Sequence, residues 1–149
     1  MSRVARWVPP ASLALALIGL GASIYLTIAH FTSPDLLACS SSGTINCSLV
    51  TTSAQSTFLG MPVAVLGLAW FVVMTLLCLP AAWRSENRFV HLARLAGTIA
   101  GVGFALWLVY AELFIIGAIC EWCTVAHLAA FGLFVIAIMT APDLLAREE

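Results

Sequence analysis

Apolar residues fall along this chain in four long blocks divided by polar interruptions. The blocks run from Pro9 to Ala29, Met61 to Leu79, Leu95 to Gly117 and Cys120 to Thr140. Each is close to the ~20 residues an α-helix needs to cross a bilayer core. The first follows Arg3 and Arg6, as a signal peptide would, but its apolar run is too long for a typical h-region and shows no clear cleavage site. It reads as a retained helix. Gly60-Met61-Pro62 opens the second block, where proline suits a first helical turn, and Leu79-Pro80 closes it. Residues 81–94 read as a short polar loop and residues 117–120 as a tight turn. Short connections make antiparallel neighbours. The expected fold is therefore an all-α membrane protein, a four-transmembrane-helix bundle forming one domain over residues 1–149. Gly19, Gly21, Gly97, Gly101 and Gly103 offer close helix contact. Gly97-x-x-x-Gly101 reads as internal packing rather than a dimerisation face.

Composition agrees with the blocks. Of 149 residues, 62% are hydrophobic and 9% charged, against about a quarter charged in a soluble domain; mean hydropathy is +1.08. Net charge is -1 and lysine is absent, which leaves no basic surface for nucleic acid. The arginines set an orientation. Arg3 and Arg6 precede the first span, Arg84, Arg88 and Arg94 lie between the second and third, and Arg147 is in the tail. Residues 30–60 and the last turn have none. The positive-inside bias puts both termini and the middle loop in the cytoplasm, and the segment from Phe31 to Leu59 outside, where disulfides persist.

The candidate chemistry is in cysteine. Cys39 and Cys47 lie in the Ser/Thr-rich outer segment, and Cys120-Glu121-Trp122-Cys123 opens the fourth span. A helix N-terminus stabilises a thiolate, the reactive species in thiol–disulfide exchange. Cys123 is three residues deeper, about 4.5 Å along the axis, and is better placed to meet a carrier within the bundle, with Cys120 towards incoming thiols. A lone C-x-x-C also serves as half a metal site, but two outward pairs favour exchange. The loop between Cys39 and Cys47 can close as a disulfide and swing; a static staple is the lesser alternative, since it does not explain the nearby C-x-x-C. Residues Leu49 to Phe58 have weak helical periodicity and suit a short helix over the bundle mouth. Cys78, about 25 Å from the outer end of its span, reads as a buried small hydrophobe.

The remaining candidates are polar or aromatic residues near that end. His127, one turn below Cys123, is placed to hydrogen-bond a quinone oxygen or move a proton, or to make an ordinary polar contact. Glu112 is an intramembrane acid and so a functional candidate, although near enough to the interface to snorkel. Trp122 and Tyr110 suit either an aromatic pocket or the interfacial belt. Asp35 reads as a solvating loop charge.

These features together resemble the vitamin K epoxide reductase family in its bacterial form. The resemblance covers most of the chain. It rests on four spans, on Cys47-Ser48-Leu49-Val50-Thr51-Thr52-Ser53 with Phe58-Leu59-Gly60-Met61-Pro62 and Gly67, and on Gly117-Ala118-Ile119-Cys120-Glu121-Trp122-Cys123. It implies that Cys120 and Cys123 are the active-site pair, with Cys123 beside a quinone, menaquinone or ubiquinone. It implies that Cys39 and Cys47 are a shuttle pair, and that Ser53 occupies a Ser/Thr position linked to activity. Some members carry a tyrosine where His127 stands. Many bacterial members carry a fused thioredoxin-like domain; with the chain ending at Glu149, the expected partner is a separate extracytoplasmic thioredoxin-like protein. The expectation is a quinone-linked thiol oxidase of the cell (inner) membrane. Catalytic Cys39, Cys47, Cys120 and Cys123 would work with Cys123, His127, Ser53 and Trp122 at the quinone, without a metal. A soft-metal carrier, a structural protein with two static disulfides, and an epoxide reductase are the alternatives.

Overall fold

In a computed structural model, residues 4–40 and 42–145 are described, the last two by backbone alone. Arg3, Ser41 and Arg147 lie outside the described residues. Long apolar helices dominate: α1 (Val8–Phe31), α3 (Val63–Leu77), α5 (Arg88–Tyr110) and α6 (Glu121–Leu145). Short helices α2 (Cys47–Thr52) and α4 (Pro80–Arg84) and a two-stranded hairpin, β1 (Thr57–Phe58) with β2 (Met61–Pro62), join them. Helix α1 packs on α3 and α6, and α5 packs on α6 and more lightly on α3. The result is an all-α membrane bundle.

Among the described residues, three helical segments are long and apolar enough to cross a bilayer: Val8–Phe31, Arg88–Ile116 and Glu121–Asp143. The second expected span is shorter than its apolar run. Met61 and Pro62 pair with Phe58 and Thr57, so the helix starts at Val63. At its other end Cys78 is the C-cap, and Leu79 is extended, as a residue before proline tends to be. Fifteen helical residues remain, about 22 Å of rise. The expected polar loop over residues 81–94 is also revised, since Pro80–Arg84 is helical and α5 begins at Arg88 under an Asn87 cap. Arg94 therefore lies within α5. Buried at 3% exposure, it donates from Nε and Nη2 to the Leu77 carbonyl at 3.0 and 2.6 Å. These bonds close the end of α3, and the Trp83 ring covers the guanidinium at 3.7 Å.

The central core joins Ala16, Phe71, Met74, Cys78, Ala129, Ala130 and Leu133. Small residues admit the rings: a Cβ at Gly19 would overlap Phe71, and one at Gly101 would overlap Trp70. The Trp70 indole also donates to the Gly97 carbonyl at 2.9 Å. Gly97 and Gly101 thus serve internal packing. Gly21 and Gly103 have nothing within 4 Å and admit no neighbour.

After Tyr110, α5 widens into a π-helical turn, Ala111–Ile116, a departure that often marks function. Gly117 ends it at φ 71°, a left-handed conformation that glycine adopts without a steric penalty.

Candidate functional site

The outer segment is tied to the turn before α6 by backbone. Ile119 N–H donates to Thr44 O at 2.9 Å, and Asn46 N–H donates to Ile119 O at 3.0 Å. The Asn46 side chain accepts from Leu49 N–H at 3.0 Å, capping α2 and fixing Cys47 as its first residue. Cys39 is disulfide-bonded to Cys47, with Cα atoms 6.2 Å apart. The strand leading to Cys39 is held by side chains. Tyr25 donates its hydroxyl to Leu36 O at 2.7 Å and accepts from Ala38 N–H at 3.0 Å. Trp122 donates its indole N–H to Ala38 O at 3.0 Å and meets Tyr25 edge-on at 4.8 Å. The Glu121 carboxylate accepts from Ser40 Oγ at 2.7 Å and from Ser40 N–H at 3.3 Å.

Beneath this strap lies the C-x-x-C. Cys47, Cys120, Leu26, Ala29, Leu37, Val50 and Ala118 form one buried cluster, against which Cys39, Cys123 and Trp122 pack. Exposure falls inward: Cys39 is half-buried, Cys47 is 2% exposed and Cys120 is fully buried. Cys120 and Cys123 are free thiols. Cys123 N–H, in the first turn of α6, points at Cys120 Sγ at 3.2 Å. The Cys120 thiol is held below its ordinary pKa, first by a hydrogen bond from the Cys123 thiol and then by the Cys123 and Trp122 backbone amides, against the opposing effects of burial and the Glu112 carboxylate. The amides that open α6 thus add to the stabilisation of Cys120, behind the Cys123 thiol.

Cys123 opens instead onto a cavity of about 540 Å³ between α1, α3, α5 and α6, below the hairpin. Its walls are largely apolar and aromatic, including Phe58, Trp70, Phe71 and Phe104; Ser53, Glu112 and His127 are among its polar members. Among the described residues the His127 ring has no protein hydrogen-bond partner. Ser53 Oγ donates to Val50 O at 2.7 Å, so its hydroxyl must turn to serve a ligand.

The structure thus brings Cys123, His127 and Ser53 to one cavity, and Cys39, Cys47 and Cys120 to the cluster beside it. Trp122 does not line the cavity, because its indole is used in clamping the outer strand. Tyr110 stacks with Trp107 and is half exposed on the bundle's outside, away from the cavity. Glu112 does not snorkel: it is 5% exposed, and its Oε2 accepts from Cys120 N–H at 3.3 Å. Cys78 is buried in the central core, apart from the other four cysteines. Tyr25 and Glu121 carried no signal in the sequence, since their partners are distant along the chain.

The model of the vitamin K epoxide reductase family matches residues 10–138, and the chain belongs to that family. Its members are membrane thiol–disulfide oxidoreductases linked to quinones, and they generally work with a thioredoxin-like partner. The cavity residues fit such a group. A quinone head is a flat apolar ring with an acceptor oxygen at each end. Here an apolar, aromatic-walled space carries few polar groups, as small-molecule sites do, with a thiol and an unengaged imidazole at its wall.

Proposed function

We propose that this family member oxidises a reduced thioredoxin-like protein outside the cytoplasm and passes the electrons to a membrane quinone, menaquinone or ubiquinone, thereby supporting disulfide formation. The chain is multi-pass in the cell (inner) membrane, with both termini cytoplasmic and the cysteine pairs outside. The partner's thiolate attacks Cys39, the more exposed sulfur of the outer disulfide. Cys47, once released, attacks Cys120, and Cys123 becomes the leaving thiolate. The partner's second thiol resolves its bond to Cys39, which leaves the partner as a disulfide and frees Cys39. Cys39 then attacks Cys47 and expels Cys120, so that Cys120 and Cys123 become a dithiol and the outer disulfide is restored. A bound quinone supplies a two-electron, two-proton sink. Cys123 would face such a group from the cavity wall, His127 would donate a hydrogen bond to one of its oxygens, and Ser53 would serve once its hydroxyl turned. Trp122 acts at one remove, by holding the strand that carries Cys39.

The observation that carries this reading is the inward order of the sulfurs, from half-buried Cys39 through buried Cys47 and Cys120 to Cys123 on the cavity wall. A soft-metal carrier needs thiols leading across the membrane, and Cys78 is packed in a separate core. The test is anaerobic quinone reduction by the purified protein with a reduced thioredoxin-like donor. Stoichiometric loss of quinone absorbance is expected, and it should vanish in Cys120→Ala and Cys123→Ala. Donor oxidation that proceeds without quinone loss would refute the assignment.

A further inference from the structure

We propose that Glu112 stores one of the two protons of the reduced Cys120–Cys123 pair and releases it into the cavity as the disulfide forms. The proposal rests on the reading that a quinone oxidises this pair. Its basis is geometric. Glu112 stands in the π-helical turn, 5% exposed, with Oε2 against the Cys120 amide at 3.3 Å. It also lines the cavity that holds Cys123 and His127. With His127 it lines a second recess, about 340 Å³, between α5 and α6. One side chain thus reaches from the reactive pair to the ligand space. The titratable groups around it are Cys120, Cys123 and His127. Among the described residues none forms an ion pair with Glu112. A charged carboxylate so placed is costly, and a neutral amide would hold the Cys120 N–H equally well. A carboxyl group adds only one thing there, the capacity to bind a proton.

The balance is as follows. Reducing the disulfide takes up two electrons and two protons. One proton stays on Cys123, whose thiol hydrogen-bonds to Cys120 sulfur. Cys120 is the thiolate and the second proton sits on Glu112. On oxidation the Cys120–Cys123 bond forms, and the Cys123 S–H and Glu112 O–H bonds break. Two electrons and two protons pass to the quinone, giving the hydroquinone.

Redox-difference infrared spectroscopy tests this on the quinone-free, full-length Cys39→Ala/Cys47→Ala protein, in which only the inner pair changes state. Reduction should bring up a protonated-carboxyl C=O band, lost in Glu112→Gln and shifted but present in Glu112→Asp. In the otherwise unaltered protein, Glu112→Gln should slow anaerobic quinone reduction about 10²-fold, with Glu112→Asp losing less. Absence of a redox-linked carboxyl band, or its survival in Glu112→Gln, overturns the proposal. If Glu112→Gln does not accumulate, the unsubstituted and Glu112→Asp spectra decide by the same criterion. Failure of the unsubstituted protein to reduce quinone refutes the functional reading instead, and leaves the band to judge Glu112.

Discussion

Within the outer disulfide, Cys39 is half-buried while Cys47 is 2% exposed beside Cys120. This asymmetry predicts which intermediates can be trapped. Removing the resolving sulfur leaves a mixed disulfide. Cys47→Ala should therefore accumulate a partner adduct through Cys39, whereas Cys39→Ala should favour an internal Cys47–Cys120 bond. Peptide mapping that recovers only native pairings in both variants would favour static disulfides. A second prediction concerns Cys120. Because the Cys123 thiol is the first cause of its depressed pKa, its thiolate should persist below the ordinary thiol range. In a Cys39→Ala/Cys47→Ala background, the pH midpoint for alkylation of Cys120 should rise when Cys123 is also replaced by Ala. Unchanged midpoints would show that the hydrogen bond does not govern the charge. The gathering of Cys39, Cys47, Cys120 and Cys123 at one end of the bundle was open to a sequence reader because C-x-x-C at a helix start has a local chemical meaning. The placement of Trp122 against the outer strand was hidden because it depends on Tyr25 and Ala38, both more than 80 positions away.

The four long helices were legible because hydropathy over some 20 residues is a local property. Their ends were not. The start of α3 is set by a hairpin of two-residue strands, too short to leave a period, and the start of α5 by an Asn87 cap that precedes the apolar run. The direction of Trp70 was equally hidden, although its consequence is testable. Its ring lies where a Gly101 side chain would be, donates to Gly97 and walls the cavity. Gly101→Ala should push this ring off its hydrogen bond and into the ligand space. Overpacking of this kind costs about 1–3 kcal/mol, so thermal stability should fall and quinone affinity with it. Gly103→Ala, two residues along α5 and with nothing within 4 Å, should be neutral or stabilising by up to about 1 kcal/mol, since alanine removes the entropy cost of a helical glycine. Equal thermal shifts in the two variants would mean that the Trp70 contact does not set the response.

At the scale of the whole molecule, the described arginines and the paired cysteines sort to opposite ends. Arg6, Arg84 and Arg88 are exposed near the starts of α1 and α5, where α4 meets α1. Arg94 is buried there too, so its charge serves the α3 end rather than a free loop. Asp35 and Glu121 lie at the other end with the four paired cysteines, and none of the described arginines does. If the positive excess is retained on the cytoplasmic side, the outer strap faces outside, in an oxidising compartment. Burial adds an order to the expected labelling. After mild reduction, a membrane-impermeant maleimide added from outside should modify Cys39 first. Cys47 and Cys120 should follow only as the strap opens, and Cys78, at 1% exposure in the central core, should not react until the protein is unfolded. Ser40→Ala, which removes the shorter hydrogen bond to Glu121, should speed the slow phase without changing the side from which reagent enters. Reaction of Cys39 only with reagent on the cytoplasmic face would reverse the orientation and, with it, the assignment of an extracytoplasmic electron donor. Simultaneous labelling of Cys39 and Cys120 from outside would leave the orientation intact but would show that the strap does not control access to the inner pair.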